Sequence, residues 1–337
     1  MKHVIFGSGP LGRATLKALL RRGEQVRLVN RSGHLSGLPE PLGPSAGKAQ
    51  FEIVRADAYD LESAQAVSVG AQVIYNCAAP IYSAHAWETQ LPVLWGNILE
   101  GAATQQARLV IGDNLYMYDE VGIGSPGQVI HEDLPMHSRT RKGQARIRVT
   151  EQMLAAHQTG RVRVTFARAS NFFGPHTAEQ SVLGRRVFEP VLQGKTAQIL
   201  GDPDMPTTLT FIEDFGEAMA ILAASDSAFG KAWHIPNAPA MTQREVLHLI
   251  AQISQQPLRF TALPGWLLPV LSLAAPPLRE IREMLPKSQH PYLVSSERFV
   301  AAYGDIHTPL ETALRLTAQW FAGQLPKQAQ AAVRLFA

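Results

Sequence analysis

A glycine-rich turn lies close to the start of the chain, at Gly7-Ser8-Gly9-Pro10-Leu11-Gly12. Its spacing is G-x-G-x-x-G, and it lies between an apolar run typical of a buried strand and a helical pattern. In such a turn the first glycine permits a tight bend, the second lets the backbone approach a pyrophosphate, and the third lets the helix pack on the strand. Amides at the helix N-terminus then attract the phosphates. The turn predicts a dinucleotide-binding site, although an ordinary glycine turn without a ligand shares the spacing.

The residues that follow the second predicted strand indicate which dinucleotide binds. They read Asn30-Arg31-Ser32, without an acidic residue. An Asp or Glu at this place binds the free ribose 2′-hydroxyl of NAD(H), whereas an arginine suits a 2′-phosphate. Arg31 offers a permanently charged, forked guanidinium, and Ser32 adds a hydroxyl. We therefore predict NADP(H) in preference to NAD(H), bound at the ribose by Asn30, Arg31 and Ser32; the alternative is that Arg31 is a solvated loop residue.

A second group of polar residues follows the strand predicted at 108–112. In open α/β sheets, ligands bind at the carboxyl ends of the strands. Asp113 is a candidate proton acceptor there, and Asn114 is a candidate hydrogen-bond donor to a carbonyl. The alternative is a local turn, because Asp and Asn often bond their own backbone. Tyr116 and Tyr118 follow, either as sources of a phenol for proton transfer or as pocket and core residues.

Lys142 and Arg146 lie four residues apart in the segment 141–157, which has a helical pattern. Side chains at positions i and i+4 share one helix face, so both can point into the same cleft. Lys142 is a candidate for acid–base work, and Arg146 is a candidate for binding the nicotinamide side of a cofactor. The alternative is a basic helix that faces solvent over 139–148, since runs of charge usually lie in water.

The elements that must position these residues alternate between short apolar runs and helical patterns in the first half of the chain. This alternation is typical of βαβ units and predicts an α/β fold with a parallel sheet. Strands are predicted at 3–6, 25–29, 51–55, 72–76, 108–112 and 162–168, and helices at 11–22, 87–106 and 141–157. The segment 33–47 is rich in glycine and proline and is predicted to be a loop.

The second half of the chain is less regular. Strands are predicted at 209–212 and 232–235, and helices at 213–224, 242–255 and 309–324. Prolines concentrate at 257–291, which predicts an irregular cap over the sheet. The uncharged stretch 260–278 is interrupted by four prolines, so we expect no membrane span.

The overall composition narrows the class of protein. The chain has 337 residues, 46% of them apolar, and a formal net charge of +3. A nucleic-acid partner needs a clustered basic face rather than a small surplus, and one short basic helix without interleaved aromatic residues is not a binding platform, so no nucleic-acid partner is expected. Cys77 is the single cysteine, which excludes an intramolecular disulfide, and the histidines show no ligand spacing, so no metal is expected. The N-terminal residues lack the layout of a secretion signal, and we expect a cytoplasmic protein.

In these motifs the chain resembles the NAD(P)-dependent epimerase/dehydratase family, which comprises extended and atypical short-chain dehydrogenases/reductases. The resemblance covers most of the chain and rests on the order of six segments: the glycine turn, 57–58, 75–79, 112–118, 168–175 and 210–215. It implies a Rossmann-type doubly wound parallel sheet with a smaller, mostly helical C-terminal substrate region. It also implies residues that bind the cofactor near the adenine, along the dinucleotide or beside the nicotinamide: Asp57, Ala58, Ala78, Ala79, Pro80, Lys142 and Ser170.

We assign residues 1–170 and 207–236 to the dinucleotide-binding domain, and residues 171–206 and 237–325 to the substrate-binding region. The sequence departs from the family pattern at two places. Phe6 stands where the family usually has its first glycine. The stretch 139–147, where the family carries its catalytic Tyr-x-x-x-Lys, contains no tyrosine.

Two functions follow from this combination. The first is an NADP(H)-dependent oxidoreductase or epimerase/dehydratase-like enzyme that acts on a small carbonyl or alcohol, sugar derivatives included. The second is a non-catalytic NADP(H)-binding redox sensor or regulator, which the missing tyrosine suggests. For the enzyme, the candidate catalytic residues are Asp113, Asn114, Tyr118, Lys142 and Arg146, and the candidate pocket walls are Phe172, Phe173, Trp266 and Tyr292. The family also suggests a homodimer through the helices at 87–106 and 141–157.

Overall fold

The computed structural model describes residues 2–37, 51–118, 128–263 and 290–326. Part of the loop predicted at 33–47, most of the proline-rich segment 257–291 and the pocket residue Trp266 lie outside these ranges. Within them, every helix is too short or too polar to cross a bilayer.

Short strands occur along the whole described chain. They are β1 (Lys2–Phe6), β2 (Gln25–Asn30), β3 (Phe51–Arg55), β4 (Val73–Asn76), β5 (Arg108–Asp113), β6 (Val129–Ile130), β7 (Val164–Arg168), β8 (Asn171–Phe173), β9 (Ala197–Leu200), β10 (Pro206–Thr207), β11 (Leu209–Phe211), β12 (Ala232–His234), β13 (Met241–Thr242), β14 (Phe260–Leu263) and β15 (Leu293–Val294). Seven of them form one parallel sheet in the order β12-β7-β5-β4-β1-β2-β3. The predicted α/β fold with a parallel sheet is confirmed.

Among the described residues, helices lie in half of the connections between successive strands and in the C-terminal segment. They are α1 (Pro10–Arg21), α2 (Leu61–Ser68), α3 (Ala84–Thr89), α4 (Leu91–Gln105), α5 (Arg141–Gln158), α6 (Phe188–Leu192), α7 (Ile212–Ala224), α8 (Gln243–Ile253), α9 (Glu297–Tyr303) and α10 (Leu310–Gln324). The structure therefore has the doubly wound, Rossmann-type arrangement that was expected.

Both faces of the sheet are buried, which explains why its strands read as continuous apolar runs. Successive side chains point to opposite faces, so Ile5 and Leu28 pack in one layer while Val4 and Ile74 pack in the other. Helices α1 and α7 cover the first face, and α2, α4 and α5 cover the second. The core is thus divided into two apolar layers with the sheet between them.

The strand order reverses at β1, because β2 and β3 lie on one side of it and β4, β5, β7 and β12 lie on the other. The crevice outside the carboxyl ends of β1 and β4 is where open α/β sheets bind ligands. The register brings Phe6 level with Asn76, and Asp113 level with Arg168, at this edge. The glycine turn and Asp113 therefore lie at the same edge of the sheet.

The helix predicted at 87–106 is wrong as a single element, because the structure contains two helices there. Gln90 ends α3 and begins α4, and Pro92 lies in the first turn of α4. Proline lacks the amide that would continue the hydrogen-bond ladder of α3, and it is well tolerated in the first turn of a new helix. The break therefore follows from a residue that was visible in the sequence.

The C-terminal half forms a second apolar centre. Helices α6, α8 and α10 pack around residues such as Phe188, Ile250 and Phe321, and the β9–β14 pair closes one side of the cluster. The strand predicted at 209–212 is present as β11, but it pairs with β8 and lies outside the central sheet. This region is smaller and mostly helical, as the resemblance implied.

Candidate active site

Steric contacts explain two of the three glycines in the turn between β1 and α1. Gly7 has a φ of +100°, which a residue with a side chain rarely adopts, and a Cβ there would lie 2.8 Å from the carbonyl oxygen of Cys77. A Cβ on Gly12 would overlap the carbonyl oxygen of Gly7. Gly9 differs, because a Cβ there would meet no atom within 4 Å.

The open space beside Gly9 fits the diphosphate of a dinucleotide. Gly9 precedes the first turn of α1, which contains no acidic residue, and Pro10 occupies a position where no backbone donor is needed. The positive end of the helix therefore faces this space without a competing carboxylate. Leu11 occupies the space over Gly112, which anchors the turn against β5.

Asn30, at the end of β2, is fully engaged in holding the neighbouring turn. Its Nδ2 donates to Ser8 Oγ at 3.0 Å and to the carbonyl of His34 at 2.9 Å. Its Oδ1 accepts from the amide of Gly33 at 2.7 Å and from Ser32 Oγ at 3.1 Å. Asn30 and Ser32 thus tie the loop after β2 to the glycine turn, at the place where an acidic residue would bind a ribose.

Two arginines lie at this end of the crevice. Arg31 is exposed, and its charge opposes the rise that burial causes in the pKa of Tyr59. Arg13, which the sequence analysis did not single out, donates from Nη1 to the carbonyl of Gly37 at 2.7 Å and from Nε to that of Ser8 at 3.2 Å. Arg13 thus links the loop after β2 to the glycine turn, and its position one residue after the glycine turn was the available signal.

The residues that the resemblance places along the dinucleotide lie at strand ends. Asp57 Oδ1 accepts from the amide of Tyr59 at 3.0 Å, and the amide of Ala78 donates to Asn76 Oδ1 at 3.2 Å. Ala58, Ala79 and Pro80 follow the same two strands, β3 and β4. Ala78 lies directly against the glycine turn, since a Cβ on Gly7 would lie 2.9 Å from the backbone nitrogen of Ala78.

Ser170 lies farther along the edge and is buried. Its Oγ lies 2.8 Å from Thr210 Oγ1, which donates to Asn237 Oδ1 at 2.5 Å. This chain of hydrogen bonds connects the end of β7 with β11. Cys77 is half-buried, and burial of its thiol raises the pKa to about 12, so the thiol is a poor nucleophile.

Asp113 is completely enclosed between two arginines. Its Oδ1 accepts from Arg146 Nη1 at 3.0 Å, and its Oδ2 accepts from Arg168 Nε at 3.3 Å, while its side chain is 0% exposed. Because both oxygens are occupied, this geometry favours a positioning role for Asp113 over contact with a substrate. Arg168 was missed, although the sequence placed it at the end of a strand like Asp113.

Arg146 lies beneath the tryptophans of α3 and α4. Its guanidinium carbon is 4.4 Å from the ring centre of Trp87 and 5.2 Å from that of Trp95. Burial lowers the pKa of Arg146, and the charge of Asp113 opposes this shift. The predicted shared helix face is present, since Lys142 is also buried, whereas Arg141 and Arg148 on the same helix are exposed.

Tyr118 and Asn114 have structural partners. The hydroxyl of Tyr118 accepts from Arg168 Nη1 at 2.7 Å, and burial raises the pKa of this phenol. Asn114 Oδ1 accepts from the amide of Tyr116 at 3.1 Å, which is the turn role given above as the alternative. Both side chains are therefore engaged by partners within the protein.

Tyr82, Tyr116 and Lys142 form a separate cluster beside this network. The two tyrosine hydroxyls are 3.1 Å apart, and Lys142 Nζ lies 4.2 Å from the ring centre of Tyr82. Trp87 stacks on Tyr116, with 5.4 Å between ring centres. Tyr82 was missed by sequence reasoning, although it follows strand β4 much as Tyr116 follows β5.

The remaining candidates lie apart from the cluster. Of the predicted pocket walls, Phe173 and Tyr292 are buried in apolar clusters, and Phe172 is half-buried. His234 is buried, and this burial lowers its pKa to about 3. In the described ranges, no three His, Cys, Asp or Glu side chains come together as a metal site would require.

A parallel sheet with a glycine turn at its central strand defines a dinucleotide-binding protein of the Rossmann type. The chain belongs to the NAD dependent epimerase/dehydratase family, which matches residues 4–235. It is accordingly an NAD(P)-dependent enzyme of that family. Among known proteins it is 24% identical over 275 residues to the dTDP-6-deoxy-L-talose 4-dehydrogenase (NAD(P)(+)) of Kitasatospora kifunensis, an alignment that covers 78% of this chain and 81% of the relative.

Solved structures share the fold at lower identity. The UDP-glucose 4-epimerase of Thermus thermophilus, determined with NAD, superposes with a TM-score of 0.73 at 17% identity, over 96% of this chain and 100% of the epimerase. An epimerase from Methanothermobacter thermautotrophicus gives a TM-score of 0.76 at 16% identity, over 96% of this chain and 92% of its own. These likenesses confirm the Rossmann-type fold.

Proposed function

We propose that the protein is an NADP(H)-dependent oxidoreductase or epimerase that acts on an alcohol or carbonyl carbon of a nucleotide-linked sugar. The observation that carries this proposal is the open space beside Gly9, at the switch point of the sheet and along the same edge as Asn114 and Lys142. The relatives named above include a dehydrogenase of a dTDP-linked sugar and an epimerase of UDP-glucose, which supports this substrate class.

Each part of the cofactor has residues suited to hold it. The glycine turn binds the diphosphate, Arg31 binds the ribose 2′-phosphate, and Ala78, Ala79 and Pro80 border the dinucleotide. When bound, the nicotinamide supplies or accepts a hydride, and the protein must orient the sugar and move a proton at its oxygen. Residues 171–206 and 237–325, with their own apolar centre, are proposed to hold the sugar nucleotide.

The preference for NADP(H) rests on charge and on hydrogen-bond capacity. Asn30 already uses its side-chain amide and carbonyl within the protein, so it offers little to a free 2′-hydroxyl. No carboxylate takes its place at the end of β2, whereas Arg31 is exposed there with Arg13 nearby. A 2′-phosphate would complement these two positive charges.

The dissociation constants of NADPH and NADH test this preference. We expect the wild-type protein to bind NADPH more tightly, and Arg31→Ala to weaken NADPH by about 10- to 100-fold while leaving NADH unchanged. Arg161→Ala is the matched control, because Arg161 is exposed and binds Glu100 near the amino end of β7. Tighter binding of NADH by the wild-type protein would refute the preference.

Turnover separates the enzyme from the non-catalytic sensor that the missing tyrosine on α5 suggests. The protein, loaded with NADP(H), is incubated with UDP- and dTDP-linked sugars that do or do not carry a 4-keto group. Absorbance of the reduced nicotinamide reports net oxidation or reduction, and sugar NMR reports epimerisation. Conversion of a nucleotide sugar supports the enzyme hypothesis. Binding of the cofactor without conversion of any of these sugars supports the sensor hypothesis. A homodimer and a cytoplasmic location remain predictions from the sequence.

A further inference from the structure

Two phenols meet at the carboxyl edge of the sheet although they come from different connections. Tyr82 follows β4, Tyr116 follows β5, and their hydroxyls are 3.1 Å apart, within hydrogen-bond distance. We call these two side chains the phenol pair. Tyr82 is 44% exposed, whereas Tyr116 is half-buried and stacks on Trp87. The pair therefore links a partly enclosed hydroxyl to solvent through a second hydroxyl.

Positive charge is concentrated on one side of the phenol pair. Lys142 Nζ lies 4.2 Å from the ring centre of Tyr82, and the Lys142 side chain is buried. The Arg146 guanidinium lies behind Trp87, close enough that the charge of Tyr116 affects its pKa. Nearby cations favour the ionised form of a phenol. Negative charge on the pair is therefore stabilised by two basic side chains.

Two carboxylates near the phenol pair, among the residues that the structure describes, bind arginines. Asp113 binds Arg146 and Arg168, and Glu88 of α3 binds Arg141 of α5. Two more basic side chains on these helices, His85 and Arg148, also lower the pKa of Glu88. The charge of each of these two carboxylates is thus balanced by a guanidinium, while Lys142 Nζ lies over the ring of Tyr82.

Helix α5 is shaped to let Tyr116 approach it. A Cβ on Gly143 would lie 2.6 Å from the carbonyl oxygen of Tyr116 and would overlap Ser138 Oγ. Gly143 precedes Arg146 by three residues, and it lies in the stretch where the family tyrosine is missing. The backbone of Tyr116 thus occupies the space into which a side chain at residue 143 would extend.

We propose that the phenol pair is the proton relay of this enzyme, with Tyr116 as the residue that exchanges a proton with the sugar oxygen. This inference rests on the proposed function. In reduction, the Tyr116 O–H bond breaks and an O–H bond forms on the sugar oxygen; a reduced nicotinamide, when bound, would supply the hydride to the carbonyl carbon. Tyr82 then returns a proton to Tyr116 across their hydrogen bond and regains one from water. Oxidation runs in the reverse order.

The difference in solvent exposure between the two tyrosines determines their order in the relay. Tyr116 belongs to the turn immediately after β5 and is fixed by Trp87 and by Gly143, which suits the group that contacts the substrate. Tyr82 is the more exposed member and can exchange protons with water. Lys142 stabilises the negative charge that resides on the pair while the proton is transferred.

Four variants test the relay: Tyr116→Phe, Tyr82→Phe, Lys142→Met and, as a control, Tyr303→Phe. Tyr303 hydrogen-bonds to Ser225 and Ser227, away from the cluster. We expect Tyr116→Phe to lower kcat by about 100-fold or more and Tyr82→Phe by about tenfold, with cofactor affinity unchanged. Tyr303→Phe should match the wild type. A kcat of Tyr116→Phe within twofold of the wild type would overturn the relay.

A spectroscopic titration tests the relay without any substrate. Burial raises the pKa of Tyr59, Tyr75 and Tyr118, so a phenol that ionises early stands out in the ultraviolet absorbance. We expect one early phenol in the wild type, lost in Tyr116→Phe or Tyr82→Phe and shifted to higher pH in Lys142→Met. Identical curves for the wild type and these three variants would overturn the relay. If no sugar nucleotide reacts, the proposed function fails, yet this titration still decides whether the charged pair exists.

Discussion

The carboxylate of Asp113 accepts a hydrogen bond from the guanidinium of Arg146 across 3.0 Å, at the carboxyl edge of the sheet and shielded from water. The opposite oxygen binds Arg168, which in turn donates to Tyr118. One anion thus fixes two cations, and Arg146 is held beneath Trp87. Asp113 therefore positions Arg146, which lies behind the phenol pair, although Asp113 itself does not reach the open crevice.

Replacing Asp113 by Asn should destabilise the fold strongly. The substitution leaves two buried guanidinium groups without a counter-charge, and removing one partner of a buried ion pair costs about 3–5 kcal/mol. Urea unfolding followed by circular dichroism measures the change in the free energy of unfolding. Glu88→Gln, which breaks an exposed ion pair with Arg141, is the control and should shift the midpoint little. Equal shifts in the two variants would contradict the structural role of Asp113.

Substitutions of the second and third glycines of the turn should affect different properties: one the affinity for the cofactor, the other the stability of the fold. Ala at Gly9 meets no atom in the protein, so the free energy of unfolding should change by less than about 0.5 kcal/mol while NADPH affinity falls tenfold or more. Ala at Gly12 overlaps the carbonyl of Gly7, so it should destabilise the fold by about 1–3 kcal/mol. Calorimetry and thermal unfolding on both variants give the comparison. Unimpaired binding by Gly9→Ala would show that the diphosphate lies elsewhere.

Gly143→Ala should displace the turn that carries Tyr116. The new methyl group would lie 2.6 Å from the Tyr116 carbonyl oxygen, so the backbone of the turn must move. We expect kcat to fall by about tenfold or more, with NADPH affinity retained, because the glycine turn is untouched. Gly96→Ala is a matched control in α4, since its Cβ would meet only Gln152 Nε2 at 3.8 Å. Unchanged kcat in Gly143→Ala would argue against a reactive Tyr116.

Acid should destabilise the protein partly through His234. Burial lowers its pKa to about 3, although the hydrogen bond from Nδ1 to the carbonyl of Ser295 at 3.1 Å opposes this shift. In the unfolded chain the imidazole titrates near ~6.5, so between these values the unfolded state binds more protons. Stability is therefore complete above about pH 6.5 and is lost as the pH falls, by at most about 1.4 kcal/mol per pH unit from this group.

His234→Asn should flatten that pH dependence, because an amide can still donate to the Ser295 carbonyl but does not titrate. His176, whose pKa burial lowers to about 4, contributes over part of the same range, so a residual slope is expected. His85→Gln changes an exposed histidine and serves as the control. Urea unfolding at several pH values between about 4 and 7 gives the slopes. Equal slopes for wild type and His234→Asn would exclude His234 as the cause.

The fold was predictable because periodicity reports burial. The strand predicted at 25–29 is β2 (Gln25–Asn30), and the helix predicted at 141–157 is α5 (Arg141–Gln158). Lys142 and Arg146 were placed on one face by their spacing alone, and both are buried as that spacing allows. Patterns of this kind depend on residues that are close in sequence, so one amino-acid sequence is enough to recognise them.

The site was less predictable because its contacts join distant segments. The hydrogen bond between Tyr82 and Tyr116 depends on how two connections bend after their strands, and periodicity carries no information about that bend. Asp113 was identified at a strand end, but its enclosure follows from the β5–β7 register that sets it opposite Arg168. Its role as a proton acceptor stays a prediction that the enclosed geometry disfavours.

Helix α1, which opens with the coenzyme turn, is covered by a helix from far along the chain. Gly216 of α7 lies so close to Ala14 and Thr15 that a side chain there would collide with their backbone, and Lys17 forms an ion pair with Glu213. During translation, the face of α1 that packs on α7 therefore has no lasting cover until α7 has left the ribosome. The nascent chain can complete its nucleotide pocket only after most of the polypeptide has been synthesised.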